Sequence, residues 1–415
     1  MLRSLLPKAH HKFLSLPLLG PVIDGFDDWL AASGYTPKSR KFSMRMLPFI
    51  DANLRRRRIR DIAKLSHPIL NNCWKAVMKV YPCGAGTTHT LERYLIASRL
   101  IKASQQATST SQASVLSEEY VNHLREVRGF AAFTIASHRR TAECFLQHLK
   151  GSGVALGCIR AADIESYISK IGIRLSRGTL QHEVAALRGF LSYLSIDGRV
   201  PMGFDCQIDT PRLYRLEQLP RALPWETVRA LLQSMDTASP MGLRDYAMFL
   251  LIATYGLRAS EIVALSLEDI RWRQGILRIH QRKTSSPLEL PLTNEVLAAL
   301  VKHLKRTPPQ APYRRLFLRM RAPMGVLKPT AVTEAFQALV RKSGLNIPYQ
   351  GPHCLRHSYA VHLLKNGTPL KTIGDILGHR TAESTSMYLR LATGDLREVA
   401  LAVPGNRHSG KEGQC

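Results

Sequence analysis

Acidic residues are scarce in this chain. Its 415 residues hold 31 Asp and Glu against 58 Lys and Arg, a net charge of +27 and a pI near 10.2. A chain this basic is suited to a polyanion, and nucleic acid is the usual one; an anionic membrane surface is the bland alternative. Cysteine is sparse too: seven residues, at 73, 83, 144, 158, 206, 354 and 415, with no Cys-x-x-Cys pair. That spacing indicates neither a disulfide framework nor a zinc cluster, and it fits a reducing, intracellular compartment. No apolar run approaches the ~18 residues that span a bilayer. The longest clear run lies around Ala247 to Thr254. Lys8, His10, His11 and Lys12 interrupt the leucines of the N-terminus, so no signal peptide is read there.

The patterning that is present divides the chain. Residues 1–112 read as an extra N-terminal domain of short helices, with Ile23 to Leu30 amphipathic, Gly34 ending it and Pro37 opening the next. This stretch carries 18 Lys and Arg against six Asp and Glu, and it includes the run Arg55-Arg56-Arg57-Arg58-Ile59-Arg60. Such a run is either a solvated face or a phosphate contact. Asp28-Trp29-Leu30…Gly34-Tyr35…Ser39 faintly repeats in His123-Leu124…Gly129-Phe130…Thr134. The tract Ser104 to Ser114 has linker composition. Residues 113–200 read as a compact four-helix domain, with Thr134 a candidate N-cap and a leucine stripe at Leu180, Leu187, Leu191 and Leu194. Over 113–217 the balance is only 13 basic against 11 acidic. Phosphate contact there must come from placement, with His138, Arg139, Arg140, Arg177, His182 and Arg188 as the outward candidates. Pro201, Pro211 and Pro220 mark 201–219 as a linker.

Beyond it, 220–400 reads as helices around a short sheet. Helices are expected from Trp225 and over Leu243 to Tyr255, strands at Ile270 to Trp272, Ile276 to His280 and Leu288 to Leu292, and helices again at Asn294 to Lys305, Thr330 to Ser343, His353 to Lys365 and Leu370 to Leu377. Arg258 opens a helix after Gly256, with Glu261 one turn away to hold it. Gln281-Arg282-Lys283-Thr284-Ser285-Ser286-Pro287 is a hairpin turn. The densest stretch is Gly351 to Arg390, which contains His353-Cys354-Leu355-Arg356-His357, Leu377-Gly378-His379 and Met387-Tyr388. Two cations, an imidazole and a phenol are what a phosphodiester needs if a tyrosine is to attack it.

In order and spacing, L-R-A-S-E-I at Arg258, Lys283 on its hairpin, H-C-L-R-H-S-Y-A, L-G-H and M-Y together resemble the tyrosine recombinase (phage integrase) family. Leu396-Arg397-Glu398-Val399-Ala400 and the N-terminal extension look most like transposon-encoded members. The resemblance implies a mainly α fold with a small antiparallel β-sheet: a helical, SAM-like core-binding domain plus a mixed α/β catalytic domain, forming a DNA clamp. It implies that Arg258 and Arg356 clamp the phosphate, Tyr388 is the nucleophile, and His353 is general base or relay. His379 would donate to the phosphate and Lys283 would protonate the leaving 5′-oxygen, with Arg282 the fallback and Glu261 orienting Arg258. Adjacent cations and the developing bond to phosphorus are expected to favour phenolate at Tyr388. His357 and Cys354 are read as structural.

The implied activity is strand transesterification on double-stranded DNA without ATP, metal or other cofactor, in a homotetramer or with other recombinases. The implied site of action is a bacterial-type cytoplasm, on the nucleoid. Two other readings share these residues: a type IB topoisomerase, and a non-catalytic accessory protein of recombination. The segment Asp395 to Val403 has the amphipathic look of a docking tail, and 401–415 reads as a loose end.

Overall fold

The computed structural model describes residues 2–7, 9–101, 112–214, 217, 219–281, 287–307, 313–379 and 381–391. The chain forms two compact units: Met1–Pro48 together with Gln218–Cys415, and Phe49–Glu217. The segment 1–112 is therefore split between the units, and the division falls at Pro48 inside the Pro37–Arg56 helix. The fold is mostly helical with two small antiparallel sheets, the class expected.

Among its described residues, the regular elements of the Phe49–Glu217 unit are all helices. His67–Val80 and Gly86–Ala97 come first, then Gln112–Glu126, Ala132–Gly151, Ala161–Gly172 and Arg177–Ile196. In the last helix Val184, Leu187, Leu191 and Leu194 recur at helical spacing and are buried against Tyr120, Phe145 and Ile164. Its start is fixed by Ser176, whose Oγ accepts the Thr179 N–H. Gly189 lets it approach closely, since a Cβ there would lie 3.1 Å from the Tyr120 hydroxyl. Two local expectations change. The helix assigned to a Thr134 cap begins earlier, at Ala132, with Ala131 in the cap position. His138, expected outward, sits 3.0 Å from the Tyr120 hydroxyl through Nδ1. The 201–219 segment carries a short helix, Phe204–Gln207, followed by buried Ile208. Residues 104–111 lie outside the described ones.

The two ends of the faint repeat share a local device. Gly34 (φ 80°) and Gly129 (φ 61°) both turn the chain left-handed after a helix. In each case the next aromatic N–H, of Tyr35 or Phe130, bonds back to a leucine carbonyl, Leu30 or Leu124.

The other unit is built on the Pro240–Tyr255 helix, which is buried on nearly every side from Ala247 to Ala253. An all-round apolar helix belongs in a core. Pro240 at its first position and the Ser239 hydroxyl accepting the Gly242 N–H at 3.1 Å define its start. Against it pack Asn294–Arg306 and His353–Lys365. The strands β1 (Ile270–Arg271), β2 (Ile276–His280) and β3 (Pro287–Pro291) form one antiparallel sheet in sequence order, with Leu277 opposite Leu290 and Arg278 opposite Glu289. Leu277 and Ile279 alternate inward with period 2. A second pair, β4 (Leu318–Arg319) with β5 (Gly325–Val326), was not anticipated; two-residue strands carry no periodic signal. Ala360, Val361, Ile373, Leu377 and Tyr388 form a separate apolar cluster.

Candidate active site

Four helix ends meet to make the site. The Pro240–Tyr255 helix stops at Gly256, whose φ of 64° only glycine adopts freely. A Cβ there would also lie 2.5 Å from Leu377 Cδ2, so the chain turns directly against the end of the Leu370–Leu377 helix. That helix in turn stops at Gly378 (φ 63°), and the Gln281 amide occupies the space a Cβ would need. Arg258 caps the following Ala259–Ala264 helix. Glu261 accepts the Arg258 backbone N–H at 2.8 Å and its guanidinium at 2.7 Å, so one carboxylate starts the helix and orients the cation. Arg258 also reaches the Gly378 carbonyl at 3.5 Å.

Arg356 lies in the first turn of the His353–Lys365 helix and is 3% exposed. It donates to the Gly256 carbonyl at 2.5 Å and the Leu377 carbonyl at 2.6 Å. Both acceptors sit at helix C-termini, where unpaired carbonyls and the helix dipole favour a cation. Burial, with Arg258 close by, pulls its pKa down to about 10, so it stays charged at neutral pH. The helix itself is anchored elsewhere: the Ser358 hydroxyl accepts the Leu223 N–H at 2.7 Å, and Trp225 stacks on His362 at 4.0 Å.

Tyr388 lies in a short 3-10 segment, Met387–Leu391, and is 1% exposed. Its hydroxyl oxygen is 3.1 Å from His357 Nδ1. His379 lies 6.3 Å away, ring to ring, with its Nδ1 2.9 Å from the Thr385 hydroxyl. His353 is exposed and meets His357 edge-on at 4.5 Å. Burial pushes the Tyr388 phenol up, against the opposing pull of Arg356 and Arg258. Without DNA, desolvation outweighs two cations that are themselves held by carbonyls and a carboxylate. Burial, with neighbouring His353, Arg356, His379 and Arg221, pulls His357 down to about 4. Burial, Arg356 and Arg258 do the same to His379.

The structure thus gathers Arg258, Glu261, His353, Arg356, His379 and Tyr388. Lys283 and Arg282 lie outside the described residues, as do residues 392–415 with the expected docking tail. Sequence reasoning left out Thr385, which orients His379, and set His357 aside as structural. A hydroxyl one turn before Tyr388 was the available signal for the first. For the second it was the four-residue step from His353, which places both imidazoles on one helix face. Cys354 is buried, as read.

The DNA-facing candidates are mostly tied down. Arg139 bonds Glu143 at 2.8 Å and Glu118 at 2.5 Å, Arg140 bonds Glu183 at 2.9 Å, and Arg177 pairs with Glu217. Arg188 donates to the Ile208 carbonyl. Arg55 to Arg58 are all exposed; Arg55 is 3.8 Å from Asp51, and Arg57 donates to Asn53 and to the Asn72 carbonyl. Among the described residues no helix is long and apolar enough to cross a membrane, and no group of three or more His, Cys, Asp or Glu is placed to hold a metal.

Guanidiniums, imidazoles and a phenol gathered at helix ends, in a mostly helical unit with a small sheet, define a class of protein that works on phosphodiesters. Known proteins make the class specific. Residues 221–394 match the phage integrase family, and residues 117–197 match the SAM-like N-terminal domain of phage integrases. The chain is 35% identical over 290 residues to "Putative integrase/recombinase y4rA" of Sinorhizobium fredii, covering 69% of this chain and 70% of that one. It is 29% identical over 293 residues to the tyrosine recombinase XerD of Listeria monocytogenes, covering 68% and 96%. Among solved structures, its fold resembles the Tn1549 transposon integrase in complex with a circular intermediate DNA (TM-score 0.54, 16% identity, 69% of this chain and 99% of that one). It also resembles the XerH site-specific recombinase bound to its difH substrate (TM-score 0.55, 18% identity, 68% and 83%). The chain belongs to the phage integrase family, the tyrosine-type site-specific DNA recombinases.

Proposed function

We propose that this chain cuts and rejoins double-stranded DNA through a covalent 3′-phosphotyrosyl intermediate on Tyr388, and that it serves integration or transposition of a mobile element. The observation that carries the reading is the convergence of Arg258, His353, Arg356, His379 and Tyr388 at the helix ends of the family-matched region. The Tyr388 oxygen attacks phosphorus and the bond to the 5′-oxygen breaks. The phenol proton leaves to an imidazole, with His353 the exposed candidate, and the 5′-oxygen takes a proton from Lys283. In the second step a 5′-hydroxyl attacks the adduct, the phosphorus–tyrosine bond breaks, and Tyr388 is reprotonated. Bond energy is kept in the adduct, so no ATP is used, and the arginines supply the charge stabilisation that a metal supplies elsewhere. With Thr385 donating to Nδ1 of neutral His379, the ring proton sits on Nε2, ready for a phosphate oxygen.

In this reading the SAM-like region and the 220–400 region each contact DNA, and Arg139, Arg140, Arg177 and Arg188 exchange carboxylate or carbonyl partners for phosphates. The Arg55–Arg58 run adds contacts from the N-terminal extension. The working assembly is a homotetramer, or a mixed one with other recombinases, on nucleoid DNA in the cytoplasm.

The test is a covalent trap. Nicked duplexes tiling the DNA that flanks the gene are incubated in EDTA with wild-type protein and with Tyr388→Phe, then run on denaturing gels. An adduct from wild type alone is expected. An adduct that survives in Tyr388→Phe, or one that forms only with added metal, sinks the reading.

A further inference from the structure

A buried hydroxyl keeps a partner, because losing water without replacement is costly. For Tyr388 the partner is His357, at 3.1 Å through Nδ1. The groups facing His357 come from four places: His353 and Arg356 from its own helix, His379 from the turn after Leu377, Arg221 from the chain ahead of Trp225, and Tyr388 itself. Of these, two are permanent cations and two are imidazoles, which leaves the His357 ring neutral. In the neutral tautomer that carries its proton on Nε2, Nδ1 is an acceptor for the phenol it faces. Burial raises the phenol while it lowers the imidazole, so moving the proton across this bond is steeply uphill. The contact holds the phenol and does not ionise it.

We propose that His357 is the positioning residue of the nucleophile: its Nδ1 accepts the Tyr388 hydroxyl and holds the phenol in its buried seat in DNA-free protein. The inference rests on the reading of Tyr388 as nucleophile. His357 acts through Tyr388 and touches no substrate in this arrangement. The seat is completed by apolar Ala360, Val361, Ile373 and Leu377, which offer the hydroxyl no second bond. Without His357 the hydroxyl is left to find water, and the segment Met387–Leu391 turns outward.

Nitration of tyrosines by tetranitromethane reads this in the full chain without DNA. Each tyrosine is followed by peptide mass spectrometry. In wild type, Tyr388 reacts far more slowly than Tyr214, which is 70% exposed. In His357→Leu, Tyr388 nitration rises about tenfold, the weight of one hydrogen bond, while buried Tyr255 of the same unit is unchanged. In His357→Asn, whose side-chain oxygen can stand where Nδ1 stood, the slow rate returns. The proposal is overturned if Tyr388 reacts as fast as Tyr214 in wild type. It is equally overturned if leucine has no effect, if asparagine fails to restore protection, or if Tyr255 accelerates in step and so reports a loosened unit. Slow nitration of Tyr388 alongside a DNA adduct that survives Tyr388→Phe leaves the contact standing and removes its premise, so the two failures are told apart.

Discussion

Arg356 is a buried cation held by two backbone carbonyls, those of Gly256 and Leu377. That suits a guanidinium, whose fork is rigid and whose charge survives burial, and not an ammonium. The arginines, His353, His379 and Tyr388 were legible because each belongs to a short motif at fixed spacing. His357 was not legible as a partner of Tyr388. Spacing shows which residues share its helix face, but Tyr388 arrives from another element 31 positions on. The burial of the phenol was not legible for a related reason: the cations around it are visible in the sequence, and the desolvation is not.

The same imidazoles give a pH dependence. His357 and His379 titrate near 4 in the folded chain and near ~6.5 when unfolded. Between those values the unfolded chain binds protons that the folded one does not, so stability falls as pH drops from about 6.5 to about 4 and is level with respect to these groups above that window. His303, His362 and His138 are shifted down as well and act in the same direction. Tm measured from pH 7.5 to 4 should therefore fall with acid. The fall should be shallower when His357 and His379 are both replaced by Asn. A parallel curve would mean that these two rings contribute nothing.

Helices and sheet strands of useful length were readable from periodicity, and their ends from glycine and proline. Caps were less so. Thr134 looks like a cap in sequence, yet the preceding Ala131–Ala132 already has the geometry. Helix interiors are set by a stripe of many residues and helix starts by one or two, which is why the starts drift. Gly242 makes the point testable. It lies in the first turn of the Pro240–Tyr255 helix, where alanine normally gains about 0.5–1 kcal/mol over glycine. A Cβ there would sit 1.8 Å from the Asp236 carbonyl oxygen, a backbone atom with no rotamer to escape by. Gly242→Ala should therefore destabilise by about 1–3 kcal/mol. Gly344→Ala meets nothing within 4 Å and carries only the strain of its φ of 69°, about 1 kcal/mol. Urea denaturation of the two variants, compared at equal m-value, should rank Gly242→Ala as the less stable; the opposite order would show that the Asp236 loop yields.

Across the whole chain, charge is unevenly placed. The SAM-like region has little net excess, and Arg139, Arg140 and Arg177 in it are paired with carboxylates, so the surplus lies elsewhere, with the Arg55–Arg58 run its densest point. Removing residues 1–112 would test that run poorly, because the cut takes Met1–Pro48 out of the unit that holds the candidate site. Substituting Arg55 to Arg58 by Gln keeps both units. Each phosphate left without its arginine should flatten the slope of log Kobs against log salt by about 0.9. Fluorescence anisotropy on a flanking duplex, read across a salt titration, measures it, and an unchanged slope assigns the run to a solvated face.

Glu261 ties two things that are usually separate. The Ala259–Ala264 helix is six residues long, too short to persist on its own strength. The carboxylate that closes its first turn is the same one that aims the Arg258 guanidinium. Fraying of that turn and release of the guanidinium are one event, so whatever opens the helix start also frees the cation.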